Sequence, residues 1–471
     1  MVYEVKNIIG GQPRGTKIVL SLPGYLGQNP VMRVPHSTEN DLEMAILSAQ
    51  KVKTDSHKKS LNVTQVKTIL SDILYELRKD KELMETIIDM RGVPVKELYK
   101  SLALLDNWLN NEESNGIDVF LINKFGQEPD RKLSSSLPIS PYGVVTAANM
   151  LEYFEPFVLF SQLLFGRVSK QAGNNLTLLI RPSQGDAILH KIVETLPKYG
   201  LEDFAQILTW NSEIDTSFFR PPLIKKFIEA TQGGIFFGST STLDYVTQGV
   251  STEIKSNYTL LGTGFPIAFV TDNAKNLEDV AHKVLESCYE GKGGRCTSLS
   301  NLFVDHKVYN KLVGHLENIC RKLVKGDPKD LSTDLASFSY DTLENAQRIK
   351  DTLLSEKVKG EIYLEMHTMD VLLHLDVDPL AKIISIETNF PLLNVIPVNG
   401  IDDMIQYASL ALAKSQADKF TYLAVFGNES DAKHLSSIPH HLLKHNTSLS
   451  FDLNCGEHCG KVFAYEVFHK R

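Results

Sequence analysis

Apolar residues recur at three- and four-residue spacing from Glu39 to about Leu109, in segments such as NDLEMAILSAQKV and NVTQVKTILSDILYELRKDKELMETIIDM. That period places them on one helix face, so the stretch predicts a packed helical layer rather than a site. Near Gly116 the pattern changes, and GIDVFLINKFGQEPDRKLSSSLPISPYGVV predicts a hairpin leading into a new strand. From Gly143 to about Asp272 short apolar runs follow one another as GVVTAA, LTLLIRP, FAQILTW, GGIFFGS and PIAFVTD, separated by the helical DAILHKIVETLPKYG and PLIKKFIEATQ. This alternation predicts a parallel sheet with crossover helices. A second series predicts another α/β domain: helix LEDVAHKVLESCYEG, strand SNLFVDH, helix KVYNKLVGHLENICRKLVKG, and strands near IISIE and TYLAVFG. Between Asp327 and Leu375 scattered charges and few apolar blocks suggest surface insertions.

Composition narrows the class. The 471 residues, 42% hydrophobic and 23% charged, suit a soluble globular chain of two or three domains and exclude collagen-like, low-complexity and disordered chains. Lys and Arg number 49 against 57 Asp and Glu, a net charge of -8 with no long basic run, which argues against nucleic acid as a partner. Five Cys, an odd number, point to reduced thiols and a cytoplasmic setting rather than a disulfide framework. The opening MVYEVKNIIGGQPRG resembles neither a signal nor a transit peptide, and no apolar run is long enough to span a bilayer.

Candidate chemistry concentrates in GKGGRCTSLSNLFVDHKVYNKLV, where Cys296 follows the loop Gly291-Lys292-Gly293-Gly294-Arg295 and precedes a strand. Glycines allow close backbone approach and a neighbouring cation favours the thiolate, the nucleophilic form; a buried Cys at a loop end fits the same pattern. Gly238, Ser239 and Thr240 follow the strand GGIFF and open a helix, which offers backbone donors to a phosphate or simply caps the helix. Arg181, Pro182, Ser183 and Gln184 lie at the carboxyl end of another strand, where nucleotides bind in parallel sheets, although Arg181 also fits a solvated strand-end cation and Gln184 a surface residue.

The cysteine segment closely resembles that of the aldehyde dehydrogenase superfamily, in which Gly-Gln-x-Cys precedes a strand and helix. Five further segments fall in the family's order: SPYGVV resembles its Pro-Phe-Gly-Val-Val strand, RPSQ its Lys-Pro-Ser-Glu element, and FFGSTSTLDYV its Phe-Thr-Gly-Ser turn. LLGTGFPIAFVTD stands in place of Glu-Leu-Gly-Gly-Lys-x-Pro, and IETNFPLLNVIPV in place of Glu-x-Phe-Gly-Pro. The resemblance implies that Cys296 is the nucleophile, and that Arg181, Pro182, Ser183, Gln184, Gly238, Ser239, Gly262, Glu387 and Phe390 serve NAD or NADP, Glu387 at the nicotinamide ribose. Gln184 replaces a Glu that would repel a 2′-phosphate, so NADP is allowed.

Three departures qualify it. Leu260 occupies the place of the general-base Glu and cannot move a proton, as in relatives that pass the acyl group to coenzyme A; Glu253 lies nearby but reads as solvated surface. Asn149 is the amide available as oxyanion donor, yet strict spacing puts Glu152 there, whose carboxylate would repel an oxyanion. The carboxyl end lacks Pro-Phe-Gly-Gly, and Cys455, His458 and Cys459 form too short a run for a metal site.

The reading is therefore an α/β aldehyde dehydrogenase-like fold: a Rossmann-like cofactor domain over 1–116 and 141–272, a catalytic domain over 273–448, and an oligomerisation arm over 117–140 and 449–471. It implies NAD(P)-dependent oxidation of a small-molecule aldehyde in a homodimer or homotetramer. The alternatives are coenzyme A-dependent acylation or acyl-thioester reduction, and a non-catalytic family member with a binding or structural role.

Overall fold

The computed structural model describes residues 2–27, 29–51, 61–110, 140–146, 153–165, 176–183, 186–210, 223–231, 233–262, 264–353, 357–415, 420–440 and 442–449. Two seven-stranded sheets organise them. In the first, the order is Tyr258–Leu261, Gly234–Phe237, Tyr142–Val145, Leu178–Arg181, Ala205–Ile207, Asn7–Ile9 and Gln12–Arg14. The first five run parallel, and the amino-terminal pair closes the edge antiparallel. Strands such as GIFF and LLIR are apolar almost throughout because helices cover both faces of a parallel sheet.

The second sheet has the order Val358–Lys359, Leu372–His374, Leu392–Val398, Asn301–Asp305, Gly264–Val270, Phe420–Phe426 and Leu442–His445. All neighbours are parallel except the antiparallel edge strand Val358–Lys359. Its core joins Phe265, Ile267, Phe269 and Phe303 to Leu392, Ile396, Leu423 and Val425.

The helical layer forms where the apolar period places it, as Glu39–Lys51, Val63–Lys79, Lys81–Arg91 and Val95–Asn110. Its ends are set locally. Asn62 and Gln65 form a capping box, Asp80 caps the third helix, and Gly92 ends that helix in the left-handed region.

The structure differs from the sequence reading in several places. Gly264–Val270 pairs with Asn301–Asp305 and Phe420–Phe426, so the chain changes sheet between Leu261 and Gly264 rather than at 272. An apolar run reads the same in either sheet, and only its partners decide. The IISI segment, expected as a strand, is a 3₁₀ turn over Lys382–Ser385. Ile383 and Ile384 drop into the second core from this turn, where Asn301 Nδ2 donates to the Ile384 carbonyl, and the ladder position beside Asn301–Asp305 goes to Leu392–Val398. The stretch 327–375 holds the helix Tyr340–Thr352, a small hairpin, and the sheet strand Leu372–His374. The oligomerisation arm, apart from Ser140 and Leu449, lies outside the described residues.

Candidate active site

Cys296 sits where the second sheet's strand ends meet a loop held in an uncommon backbone. Helix Leu277–Tyr289 runs into a turn whose residues Gly291, Lys292 and Gly293 have φ of 60°, 64° and 64°. Two of these positions crowd any side chain: a Cβ on Gly291 would press on the Arg295 side chain, and one on Gly293 would lie 2.6 Å from the Pro391 nitrogen. The chain then tightens through Ser298, whose Oγ accepts from the Arg295 N–H at 3.1 Å and whose own N–H donates to the Arg295 carbonyl at 3.0 Å.

This turn leaves Cys296 partly buried beside the first strand of the second sheet, with its backbone against Gly264, where any side chain would overlap the Cys296 carbonyl. Its Sγ lies 3.9 Å from the Oη of Tyr422, a fully buried residue on Phe420–Phe426 paired in register with Pro266. A narrow pocket of about 10 Å³, room for roughly one water, is lined by Cys296, Ser298, Ser300, Glu387 and Thr388 over Gly264 and Phe265. Glu387 is the carboxylate among the described residues lining it. A thiol thus shares a one-water space with hydroxyls, one carboxylate and the Arg295 side chain.

The other expected residues fall as follows. Arg181 ends the strand Leu178–Arg181, its guanidinium 5.4 Å over the Trp210 ring and 3.5 Å from the Trp210 carbonyl, and burial lowers its pKa. Pro182 and Ser183 are buried beyond it, the Ser183 N–H donating to Thr146 Oγ1 at 2.9 Å. The Arg181 Nε and Ser183 Oγ are enclosed without a hydrogen-bond partner among the described residues. Ser239 caps the seven-residue helix Thr240–Val246, and the Gly238 N–H is taken by the Leu261 carbonyl. Gly262 lies at the crossing between the sheets. Phe390 is buried in the second core, and its backbone, not its ring, meets Gly293.

Leu260 packs against the first sheet's apolar cluster and supplies no proton, while Glu253 is exposed on helix Thr252–Ser256. Asn149, Glu152, Gln184 and the run from Cys455 to Cys459 lie outside the described residues.

Sequence reasoning missed three residues. Tyr422 reads as one more apolar strand position. Glu97 and Lys100 belong to the helical layer set aside as packing, yet Glu97 accepts from the Gly291 N–H at 3.0 Å, and Lys100 pairs with Glu286 and with Glu290 at 2.5 Å. That layer therefore reaches the cysteine loop, correcting the expectation that it is packing alone. A local hint existed only for Lys292, whose glycine neighbours signal left-handed backbone.

Residues 181–410 match the aldehyde dehydrogenase family. Malonate-semialdehyde dehydrogenase 3 of Bacillus cereus is 23% identical over 432 residues, covering 86% of this chain and 82% of the relative. A putative methylmalonate-semialdehyde dehydrogenase from Sinorhizobium meliloti 1021, solved with NAD, superposes with a TM-score of 0.73 at 15% identity over 96% of this chain and 91% of that one. The NADP-dependent glyceraldehyde-3-phosphate dehydrogenase from Bacillus halodurans C-125, solved with NADP, gives 0.72 at 17% identity over 95% and 91%. Among the described residues no helix is long and apolar enough to cross a membrane.

Proposed function

The chain belongs to the aldehyde dehydrogenase superfamily, and on that premise we propose that it oxidises an aldehyde with NAD or NADP through a covalent adduct on Cys296. The observation that carries the proposal is Cys296 Sγ beside Tyr422 Oη in a pocket shared with Glu387. The unpartnered Arg181 Nε and Ser183 Oγ fit a nucleotide's phosphate and ribose oxygens. Arg181, Pro182, Ser183 and Gln184 would hold one end of it with Gly238, Ser239 and Gly262, and Glu387, backed by Phe390, the other. Bound NAD or NADP supplies the acceptor for the hydride leaving the substrate carbon.

The chain's own residues do the rest. Cys296 thiolate adds to the aldehyde carbon and forms a carbon–sulfur bond, turning the carbonyl oxygen into an oxyanion. The Cys296 backbone N–H, with the Asn149 amide expected from the sequence, stabilises that charge. Loss of hydride restores the carbonyl and leaves a thioester on Cys296.

What resolves the thioester is the second question. Leu260 cannot activate water. This favours, as a second reading, transfer to the thiol of coenzyme A, or the reverse reduction of an acyl thioester. A homo-oligomer in the cytoplasm remains the setting proposed with either reading.

The test is nicotinamide reduction followed by absorbance with purified protein, using a panel of short, long-chain, aromatic and carboxylated aldehydes, with NAD or NADP, with and without coenzyme A, beside Cys296→Ala. Cys296-dependent reduction without coenzyme A supports the first reading; reduction only with it supports the second. Folded protein with no Cys296-dependent signal under any condition overturns both and leaves a non-catalytic family member.

A further inference from the structure

We propose that the corner from Arg91 to Lys100 of the amino-terminal helical layer is a positioning frame for the nucleophile loop, with Lys292 and Glu97 as its positioning residues. The proposal rests on the reading of Cys296 as the nucleophile.

Lys292 is the unexpected residue. With φ at 64° between two glycines, it occupies a backbone region that side-chain-bearing residues rarely adopt and that glycine adopts freely. A lysine persists there because its side chain is used. Its Nζ donates to the Arg91 carbonyl at 2.6 Å, at the carboxyl end of helix Lys81–Arg91, and stands 5.0 Å over the Phe338 ring.

Glu97, 4% exposed on the next helix, receives the Gly291 N–H, so adjacent residues of the loop are gripped by adjacent helices. Lys100, one turn further, reaches back to Glu286 on the helix that feeds the loop and to Glu290 just past its end. Between these helices Gly92 and Ser337 meet so closely that a Cβ on Gly92 would lie 2.9 Å from the Ser337 carbonyl carbon, and the Ser337 N–H donates to the Gly92 carbonyl at 2.8 Å. The helix end bearing the Arg91 carbonyl is therefore itself fixed. Four residues beyond Lys292, the chain places Cys296 against Gly264. Moving the loop moves the sulfur, and displacement by about 1 Å is enough to cost a reaction about a hundredfold.

The test uses full-length protein and reads the rate of Cys296 alkylation by iodoacetamide, mapped by peptide mass, together with kcat and KM. Lys292→Gly keeps the left-handed backbone and deletes only the anchor. The frame requires alkylation and kcat to fall about tenfold or more, with KM for the aldehyde changing by less than about threefold and melting within about 5 °C of wild type. Glu97→Leu removes the acceptor and behaves likewise; Glu97→Gln keeps an acceptor oxygen and recovers most of the lost rate. Wild-type alkylation in folded Lys292→Gly overturns the proposal. Should that variant fail to fold, the Glu97 pair decides, since equal alkylation in Leu and Gln variants also overturns it. The nucleophile reading fails separately, through Cys296→Ala turning over as wild type does.

Discussion

At Ser239 the hydrogen bonds that shape the turn come from residues three positions away or fewer, whereas at Gly291 and Lys292 they come from residues 194 and 201 positions away. The first turn is a helix cap that a short sequence window specifies. The second is bent through three left-handed residues and held there by another part of the molecule. On the proposed function the difference has a use: binding a flexible nucleotide would tolerate small shifts of the first turn, whereas covalent attack would fix one sulfur relative to one carbon. The loop that such attack would hold still is the one tied to distant structure.

The sharpest way to break this contrast is at Gly264. Gly264→Ala puts a methyl group into the Cys296 carbonyl, a backbone atom with little room to yield because Gly264 opens a central strand of the second sheet and the Cys296 turn leads into its neighbour, Asn301–Asp305. Overpacking of this kind destabilises by about 3 kcal/mol or more. Urea unfolding is expected to show that loss, and Cys296 alkylation to fall with it. A variant of wild-type stability would mean that the strand and loop separate freely.

The next effect is one of pH. Burial, helped by the Arg91 charge and opposed by Glu97, pushes the Lys292 amine down to about 7. Between that value and the ordinary lysine value the unfolded chain binds a proton that the folded chain does not, so this group makes stability rise with pH across the window. The slope is at most about 1.4 kcal/mol per pH unit, and less in proportion as water reaches the amine. Denaturation of wild type and Lys292→Gly at pH 7 and pH 9 is expected to show the wild type gaining on the variant as pH rises. A constant difference would mean that the amine stays charged throughout, held by Glu97.

The same contrast explains what was legible in the sequence. The strands GIFF and LLIR, the helix capped by Asn62 and Gln65, and the left-handed turn of the glycine-rich loop before Cys296 all declare themselves within a few residues. The grip of Glu97 and Lys100 on the loop does not, because a Glu or Lys on an amphipathic helix looks the same whether it meets water or a partner far along the chain. Ile383 and Ile384 misled for a related reason: two buried isoleucines suit a strand or a turn, and Asn301 decides between them from elsewhere. The switch of sheet before Gly264 is likewise a fact about partners, with no mark in the apolar run itself.

Tyr422 sharpens the comparison within the second sheet. Tyr422→Phe keeps the ring in the core and removes the hydroxyl that lies 3.9 Å from Cys296 Sγ. The expected result is Cys296 alkylation slowed about threefold to tenfold, with a stability loss of about 1 kcal/mol. An unchanged rate would restrict Tyr422 to packing.

The smallest effect is expected at Ser239, and it separates two roles that one side chain combines. Ser239→Ala removes the cap whose Oγ accepts from the Thr242 N–H at 3.1 Å, at a cost of about 1 kcal/mol, because one donor of the first turn loses its partner. Ser239→Asp caps equally well and restores that stability, but it sets a carboxylate where the proposed nucleotide brings its phosphates. Like charges repel there, so the nucleotide is expected to bind about tenfold more weakly to the Asp variant than to the Ala variant, although the Asp variant is the more stable of the two. Calorimetric titration with NAD and NADP beside thermal melting checks both halves. Affinity that merely follows stability would make Ser239 a cap and nothing more, and would take the nucleotide away from this end of the first sheet.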